Sequence, residues 1–133
     1  MQVVTTLSPA HISQLHALYT QEWWTKARTL EQTEQVVANS SVVIGIVDSE
    51  DCLQAFVRVL SDFVFKALLF DVIVVSVHRG KGVGGQLMDA VCNHPKLREV
   101  KHFELYCHSG MTDFYRQYGF VETDSNLQLM RRG

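Results

Sequence analysis

The sequence predicts a mixed α/β fold built as one domain over residues 1–133. Three observations indicate this fold: helix start signals in the N-terminal third, a β-branched hairpin in the middle, and an apolar strand followed by a glycine-rich turn, an amphipathic helix and a further strand. A chain of this length can bury one core. Because no Gly-, Ser- and Pro-rich stretch forms a linker or a repeat, we expect no division into smaller domains.

The N-terminal third contains the signals for one short strand and two helices. Gln2 to Thr6 alternates as a strand, and Ser8-Pro9 then offers a capping hydroxyl before a proline at the first helical position. After a break over Gln21 to Arg28, Thr29 to Gln32 has the spacing of a capping box. A second helix is therefore expected to run until about Asn39.

The middle of the chain is typical of strands. Val42 to Val47 is rich in β-branched residues, Asp48 to Asp51 forms a polar turn, and Leu53 to Leu60 supplies the returning antiparallel strand. Ala67 to Val77 is apolar at both alternating sets of positions, as in a strand covered on both faces. We expect this run to lie in the middle of the sheet.

The last third predicts a crossover and a second short helix. The helix after the glycine-rich turn should end at Asn93-His94-Pro95, and His102 to Cys107 should then form a strand parallel to the preceding one. A last helix is expected over Phe114 to Tyr118, closed by a glycine. Two more strands are expected around Phe120-Val121 and over Leu127 to Met130.

Composition and charge exclude several classes of protein. A formal net charge of −2 and a pI near 6.3 give no attraction to polyanions, so nucleic acid is not expected as a partner. No apolar run approaches the roughly 20 residues that span a bilayer, so membrane association is not expected. Three cysteines without CxxC spacing favour a reduced, cytoplasmic location. The six histidines lack the spacing of a metal site, so no metal is expected.

The turn Arg79 to Gly85 carries the clearest chemical signal. It follows a buried strand and opens a helix, so unbonded backbone N–H groups and the positive end of the helix dipole meet at one place. Glycines let the main chain approach an anion closely, and Arg79 and Lys81 add positive charge. These features predict a phosphate-binding corner.

Two motifs in this order resemble the GNAT acetyltransferases. Arg79-Gly80-Lys81-Gly82-Val83-Gly84 is similar to the R/Q-x-x-G-x-G/A signature of that family, and Phe114 to Phe120 is similar to its F-Y-x-x-x-G-F segment. The resemblance implies the GNAT fold: a central mixed sheet of six to seven strands, about four flanking helices and a splayed parallel strand pair. It places the splay between Val74 and Tyr106.

The resemblance also implies the cofactor and its contacts. Acetyl-CoA would lie with its pyrophosphate on the glycine-rich turn and its pantetheine beside the strand end. The cofactor-binding residues implied in this way are Val72, Ile73, Val74, Val75, Arg79, Gly80, Lys81, Gly82, Val83, Gly84, Gly85, His108, Phe114 and Tyr115.

Catalytic roles follow from the same resemblance. Tyr115 matches the family tyrosine that donates a proton to the departing CoA thiolate. The glutamate that the histone-acetylating branch carries in the central strand falls on Leu68, so that carboxylate is absent. Asp71 lies further along the strand, and both a general base and a structural anchor stay open for it. His108 stands where many members have an asparagine.

An acceptor site is expected around the break between the first two helices. Trp23, Trp24 and Arg28 fall in that break, and only one of the tryptophans is expected to face substrate, the other packing as core. Arg58 and Asp71 could add polar contacts. The expected acceptor is a small molecule with a primary amine, and the chain could form a homodimer.

Two other functions stay open at this point. A module of the same fold could bind acyl-CoA as a sensor or interaction subunit without catalysis. Gly80 to Gly85 also fits G-x-G-x-x-G, with Glu104 about 20 residues beyond it, as in dinucleotide-binding oxidoreductases. Those folds repeat β-α units after the turn, whereas fewer than 50 residues follow here.

Overall fold

The computed structural model describes residues 1–123 and 126–133. Within these two ranges, no helix is long and apolar enough to cross a bilayer. The strands and helices of the described residues are β1 (Gln2–Val4), α1 (Pro9–Gln21), α2 (Leu30–Asn39), β2 (Val42–Val47), β3 (Leu53–Ser61), β4 (Lys66–Val74), α3 (Val83–Cys92), β5 (His102–Leu105) and α4 (Thr112–Arg116), with 3₁₀ turns at Ser76–His78 and Ser109–Met111.

The sheet has the order β1-β2-β3-β4-β5, in which the first four strands are antiparallel and β4 pairs with β5 in parallel. The mixed α/β class and the parallel crossover are confirmed.

The expected count of six to seven strands is wrong for the described residues, which contain five. Phe120-Val121 and Leu127 to Met130 form no strand, because neither stretch pairs with the outer edge of β5. Apolar alternation produces a strand only where a partner ladder is present.

Both capping predictions are confirmed. The Oγ of Ser8 accepts from the backbone N–H of His11 at 3.1 Å, and His11 Nδ1 accepts from the N–H of Ser8 at 3.1 Å. Histidine thus takes the place that Glu or Gln holds in the usual capping box. Thr29 and Gln32 make the corresponding pair of bonds at 3.1 and 3.0 Å. These local bonds fix the first residues of α1 and α2.

Apolar layers cover both faces of the sheet, as expected for β4. Helices α1 and α2 cover one face, where the buried residues are Leu7, Leu15, Leu18, Tyr19, Val47, Leu53, Phe56 and Ile73. Helices α3 and α4 cover the other, where the buried residues include Ile44, Ile46, Val57, Val59, Leu69, Leu87, Met88, Val91, Leu97 and Tyr115. The sheet is therefore the middle layer of three.

A β-bulge at Asp71 interrupts β4. Phe56 pairs with Ile73 and Arg58 with Phe70, so the single residue Val57 opposes two residues of β4. Asp71 has φ +58°, a backbone conformation that residues other than glycine rarely adopt. The extra residue reverses the alternation, since Leu69 packs under α3 while Ile73 packs under α1. The strand ends at Val74, three residues before the predicted end at Val77.

The α3 layer should carry much of the stability. Leu87 is fully buried in it, whereas Leu60 at the end of β3 is 38% exposed. Leu87→Ala should lower the free energy of unfolding by about 3 kcal/mol, since it leaves a cavity in a packed core. Leu60→Ala, the same chemical change at an exposed position, should cost less than about 1 kcal/mol. Urea unfolding followed by circular dichroism measures both, and equal losses would contradict this assignment of the core.

Candidate active site

The parallel pair opens into a cleft. Ladder pairing between β4 and β5 ends at Leu69 and Leu105, while β4 continues to Val74. The resulting cleft has a volume of about 1080 Å³, and both Val74 and Tyr106 line it. The opening therefore lies where the resemblance predicts it.

The main chain of the β4 end faces this cleft. The N–H of Val75 donates to the carbonyl of Gln54 at 3.0 Å, so Val75 points its peptide groups towards β3. Because successive residues of a strand point these groups in opposite directions, Val72 and Val74 point theirs into the cleft. Of the predicted strand-end residues, Val72, Ile73 and Val74 line the cleft, and Val75 does not.

The glycine-rich turn forms an open corner at the start of α3. Gly80 and Gly82 have φ of +77° and +86°, and a side chain added at either would meet no atom within 4 Å. Gly82 is the N-cap of α3, and no side chain caps the helix. The N–H groups of the first turn therefore point into open space beside the cleft, which fits a diphosphate.

The other two glycines of the turn bring α3 against α4. A Cβ added at Gly84 would lie 3.4 Å from the ring of Phe114, and one at Gly85 would lie 3.0 Å from the hydroxyl of Tyr118. Both rings line the cleft. The aromatic segment after β5 therefore packs close to the first turn of α3, with little room left at Gly84 and Gly85 for larger side chains.

The charged residues of the turn differ in position. Arg79 lines the cleft, where its Nε donates to the carbonyl of Val74 at 3.0 Å and its Nη2 forms an ion pair with Glu22. Lys81 is exposed and lies outside the lining, and the side chain of Val83 is buried in the core. Only Arg79 is therefore placed at the cleft by direct bonds.

Asp71 lies at the centre of a buried ion cluster. Arg28 binds it through two nitrogens at 2.6 and 3.2 Å, Arg58 Nε donates to it at 2.7 Å, and the hydroxyl of Tyr19 donates at 2.9 Å. Burial alone would raise the pKa of Asp71, but the hydrogen bonds and charges of Arg28 and Arg58 outweigh it and hold that pKa below its ordinary value. This geometry supports the structural-anchor alternative for Asp71.

Arg28 and Arg58 are placed behind Asp71 and do not line the cleft. Arg28 also stacks over the ring of Tyr19 at 4.6 Å, and Arg58 over the ring of Phe70 at 4.9 Å. The bonds between Arg28 and Asp71 join the loop after α1 to the bulge of β4.

Asp71→Asn should lower the free energy of unfolding by about 3 kcal/mol, because it removes the charge that balances two partly buried guanidinium groups. The folded-state pKa of Asp71 is lowered, so its contribution is present above the unfolded-state pKa and is lost as the pH falls through the folded-state value. The stability difference between wild type and variant should therefore be constant above about pH 5 and shrink below about pH 4. Urea unfolding across pH measures it.

Asp113→Asn is the control, because the side chain of Asp113 is 92% exposed and pairs with Arg116 on the surface. Its effect should be small at every pH. A loss as large as that of Asp71→Asn, or a loss in Asp71→Asn that does not change with pH, would contradict the role of the buried cluster.

Tyr115 is a buried phenol on α4 that lines the same cleft. Its ring is 8% exposed and packs edge-on against Phe114, with centroids 5.0 Å apart. Burial, with a smaller contribution from Cys107, raises the pKa of Tyr115 to about 12. The phenol is therefore protonated at neutral pH and can donate a proton into the cleft.

The loop after α1 forms one wall of the cleft. Trp24 is 41% exposed and lines the cleft, while Trp23 is 68% exposed and packs at a tilt against the ring of His108, with centroids 5.5 Å apart. The expectation that one tryptophan packs as core is wrong. The buried residue of this loop is Thr25, whose hydroxyl donates to the carbonyl of Tyr19 at 2.8 Å.

Several cleft residues were not predicted from the sequence. Glu22 and Tyr118 line the cleft, as does Arg131 from the C-terminal segment, and Tyr19 completes the cluster around Asp71. Of these, Tyr118 could have been found, because it follows Phe114 at helical spacing. Within the described ranges, no three His, Cys, Asp or Glu side chains are grouped as a metal site would require.

Comparison with known proteins identifies the family. Residues 3–130 match the model of a protein family that is described as "Acetyltransferase (GNAT) domain". The chain is 27% identical over 110 residues to an uncharacterized N-acetyltransferase, ycf52, of Porphyra purpurea, and 30% identical over 86 residues to the chloroplastic GCN5-related N-acetyltransferase 2 of Arabidopsis thaliana. These matches cover 80% and 65% of this chain. The chain spans 63% of the algal relative and 33% of the plant one.

Solved structures agree with this result. A putative GNAT-family acetyltransferase of Xanthomonas campestris superposes with a TM-score of 0.82 at 31% identity, covering 100% of this chain and 94% of that one. An aminoglycoside 6'-N-acetyltransferase solved in complex with coenzyme A shares the fold over 67% of this chain and 52% of its own, at 20% identity and a TM-score of 0.59. The parallel pair of β4 and β5 opens beside a glycine-rich helix start, and the family match covers nearly the whole chain. This chain therefore belongs to the GNAT acetyltransferase family.

Proposed function

We propose that the protein transfers the acetyl group of acetyl-CoA to a primary amine, with both substrates bound together in the cleft. One observation carries the proposal: the opening between β4 and β5 lies directly beside the uncapped start of α3. A thioester could lie in the opening while its diphosphate binds the corner. Acetyl-CoA would supply the activated acetyl group, and the chain's own residues would orient it.

The residues of the corner would hold the diphosphate. The N–H groups at the start of α3 and the guanidinium of Arg79 converge on it, and Lys81 adds charge nearby. Across the opening, the N–H groups of Val72 and Val74 point into the cleft, where they could polarise the thioester carbonyl. The bulge at Asp71 sets their direction.

Tyr115 would supply the proton for the leaving thiolate. Its hydroxyl is protonated over the whole neutral range, and its ring is held by Phe114. The amine nitrogen forms the new C–N bond as the C–S bond breaks, and the phenol protonates the sulfur. A primary amine as acceptor, a cytoplasmic location and a homodimer stay predictions. Release of free thiol with any amine would exclude a purely cofactor-binding sensor.

Gly82→Asp should abolish detectable CoA binding, because it sets a carboxylate against the phosphates at the N-cap of α3. Gly82→Asn is the matched control. Asn and Asp have nearly the same volume and both tolerate positive φ, and an added Cβ meets no atom here. Gly82→Asn should therefore keep at least about tenfold more affinity than Gly82→Asp. Calorimetric titration with CoA measures both, and equal affinities would count against a phosphate site at this corner.

Tyr115→Phe should lower kcat by about 100-fold while the Kd for CoA changes little, because only the proton donor is lost. The wild type should lose no activity through ionisation of Tyr115 up to about pH 10, since the pKa of Tyr115 is about 12. Thiol release from acetyl-CoA across pH measures the rate.

Tyr118→Phe provides the comparison within the same cleft. Tyr118 is the second phenol on the α4 side that lines it, and it is only partly buried. A larger loss of kcat in Tyr118→Phe than in Tyr115→Phe would move the donor role to Tyr118. Unchanged kcat in both variants would remove a tyrosine donor from the mechanism.

A further inference from the structure

The described residues that line the cleft include two carboxylates, Glu22 and Asp71. Asp71 is committed to a buried cluster, because three side chains donate to it. Glu22 has a different partner. It forms an ion pair with Arg79, the one cation of the phosphate-binding turn that direct bonds place at the cleft. Among the described cleft residues, Glu22 is thus the acidic group whose partner a bound diphosphate would compete for.

The competition for Arg79 favours a diphosphate. The Nε of Arg79 donates to the carbonyl of Val74, which keeps the guanidinium at the end of β4 beside the corner. A diphosphate there would carry more negative charge than Glu22, and its oxygens would also accept hydrogen bonds from the N–H groups at the start of α3. The Arg79 side chain is 55% exposed and that of Glu22 is 21% exposed, so water partly screens their ion pair. Binding of the cofactor would therefore draw Arg79 from Glu22.

We propose that Glu22 is the residue that binds the ammonium group of the acceptor, and that the cofactor makes it available by engaging Arg79. This inference rests on the proposed function, and it adds the residue that would bind the acceptor and the charge that the acceptor would carry. Acetyl-CoA would bind first, because before it binds the carboxylate is held by Arg79. The amine would then bind to the carboxylate at the wall of the cleft.

The surroundings of Glu22 indicate what the rest of the acceptor resembles. Trp24 lines the cleft two residues away, and Trp23 stacks on His108 at its rim. Aromatic faces attract cations and also pack against apolar groups. A carboxylate in the same cleft as Trp24 fits a cationic amine on an apolar or aromatic body.

The protons balance in this scheme. The bound ammonium releases one proton to water, which gives the neutral amine that forms the C–N bond. The C–S bond breaks, Tyr115 protonates the sulfur, and the proton that the new amide nitrogen loses restores the phenol. One proton is released per acetyl group transferred. Glu22 is therefore a binding and positioning residue.

The chain contains its own probe for the first step. Its two tryptophans, Trp23 and Trp24, directly follow Glu22, so tryptophan fluorescence reports on this loop. CoA should change the fluorescence of the wild type as Arg79 leaves Glu22. Glu22→Gln should bind CoA about two- to fivefold more tightly, because the competing carboxylate is gone. Glu34→Gln, the same change at an exposed position of α2, should match the wild type.

The second step is tested with two amines of nearly the same shape. Benzylamine is an ammonium ion at neutral pH, whereas O-benzylhydroxylamine is uncharged. In the CoA-loaded protein, Glu22→Gln should weaken binding of benzylamine about tenfold and leave that of O-benzylhydroxylamine within about twofold. Fluorescence titration measures both Kd values without requiring turnover.

The outcomes separate this inference from the proposed function. If the wild type does not bind CoA, the proposed function itself fails. If CoA binds but Glu22→Gln changes neither the Kd for CoA nor that for benzylamine, only the role of Glu22 is overturned. Failure of the CoA-loaded wild type to bind benzylamine would overturn the acceptor class. Circular dichroism checks that the variants are folded.

Discussion

The ion pair between Asp71 and Arg28 is the interaction on which the cleft depends. It occurs at a bulge where β4 adopts a backbone conformation that is costly for aspartate, and the cluster of donors around the carboxylate holds it there. The extra residue reverses which side chains face α1 and which face α3. It also sets the peptide groups of Val72 and Val74 towards the cleft. The same pair joins the loop after α1 to the sheet.

The cleft therefore has two halves that are fixed in different ways. The proposed cofactor half would be made mainly of backbone, namely the N–H groups at the start of α3 and the end of β4, with Arg79 beside them. The proposed acceptor half would be made of side chains from the loop after α1 and from the segment around His108. Backbone positions follow from the fold, whereas side chains can be exchanged without changing it. This difference explains why the family of the chain is clear while its acceptor must be found by experiment.

Local signals were sufficient to predict most elements of the fold. The caps at Ser8 and Thr29 and the turn at Arg79 to Gly85 depend on short-range bonds that the sequence shows directly. Three long-range features could not be predicted. The bulge at Asp71 depends on a partner 43 residues away, Arg28. The missing strand over Leu127 to Met130 depends on whether an edge accepts it, and the pair of Glu22 with Arg79 joins distant parts of the chain.

The close packing of Phe114 beside Gly84 would act as a fixed spacer in the proposed reaction. The ring of Phe114 leaves room at Gly84 for little more than a methyl group, and Tyr115 packs edge-on against that ring, so this packing would limit how far the phenol can move relative to the start of α3. Loops on the acceptor side can then diverge between related proteins without disturbing the alignment of thioester and proton donor. A fixed distance inside the domain would let the same reaction be kept during evolution while the acceptor molecules change.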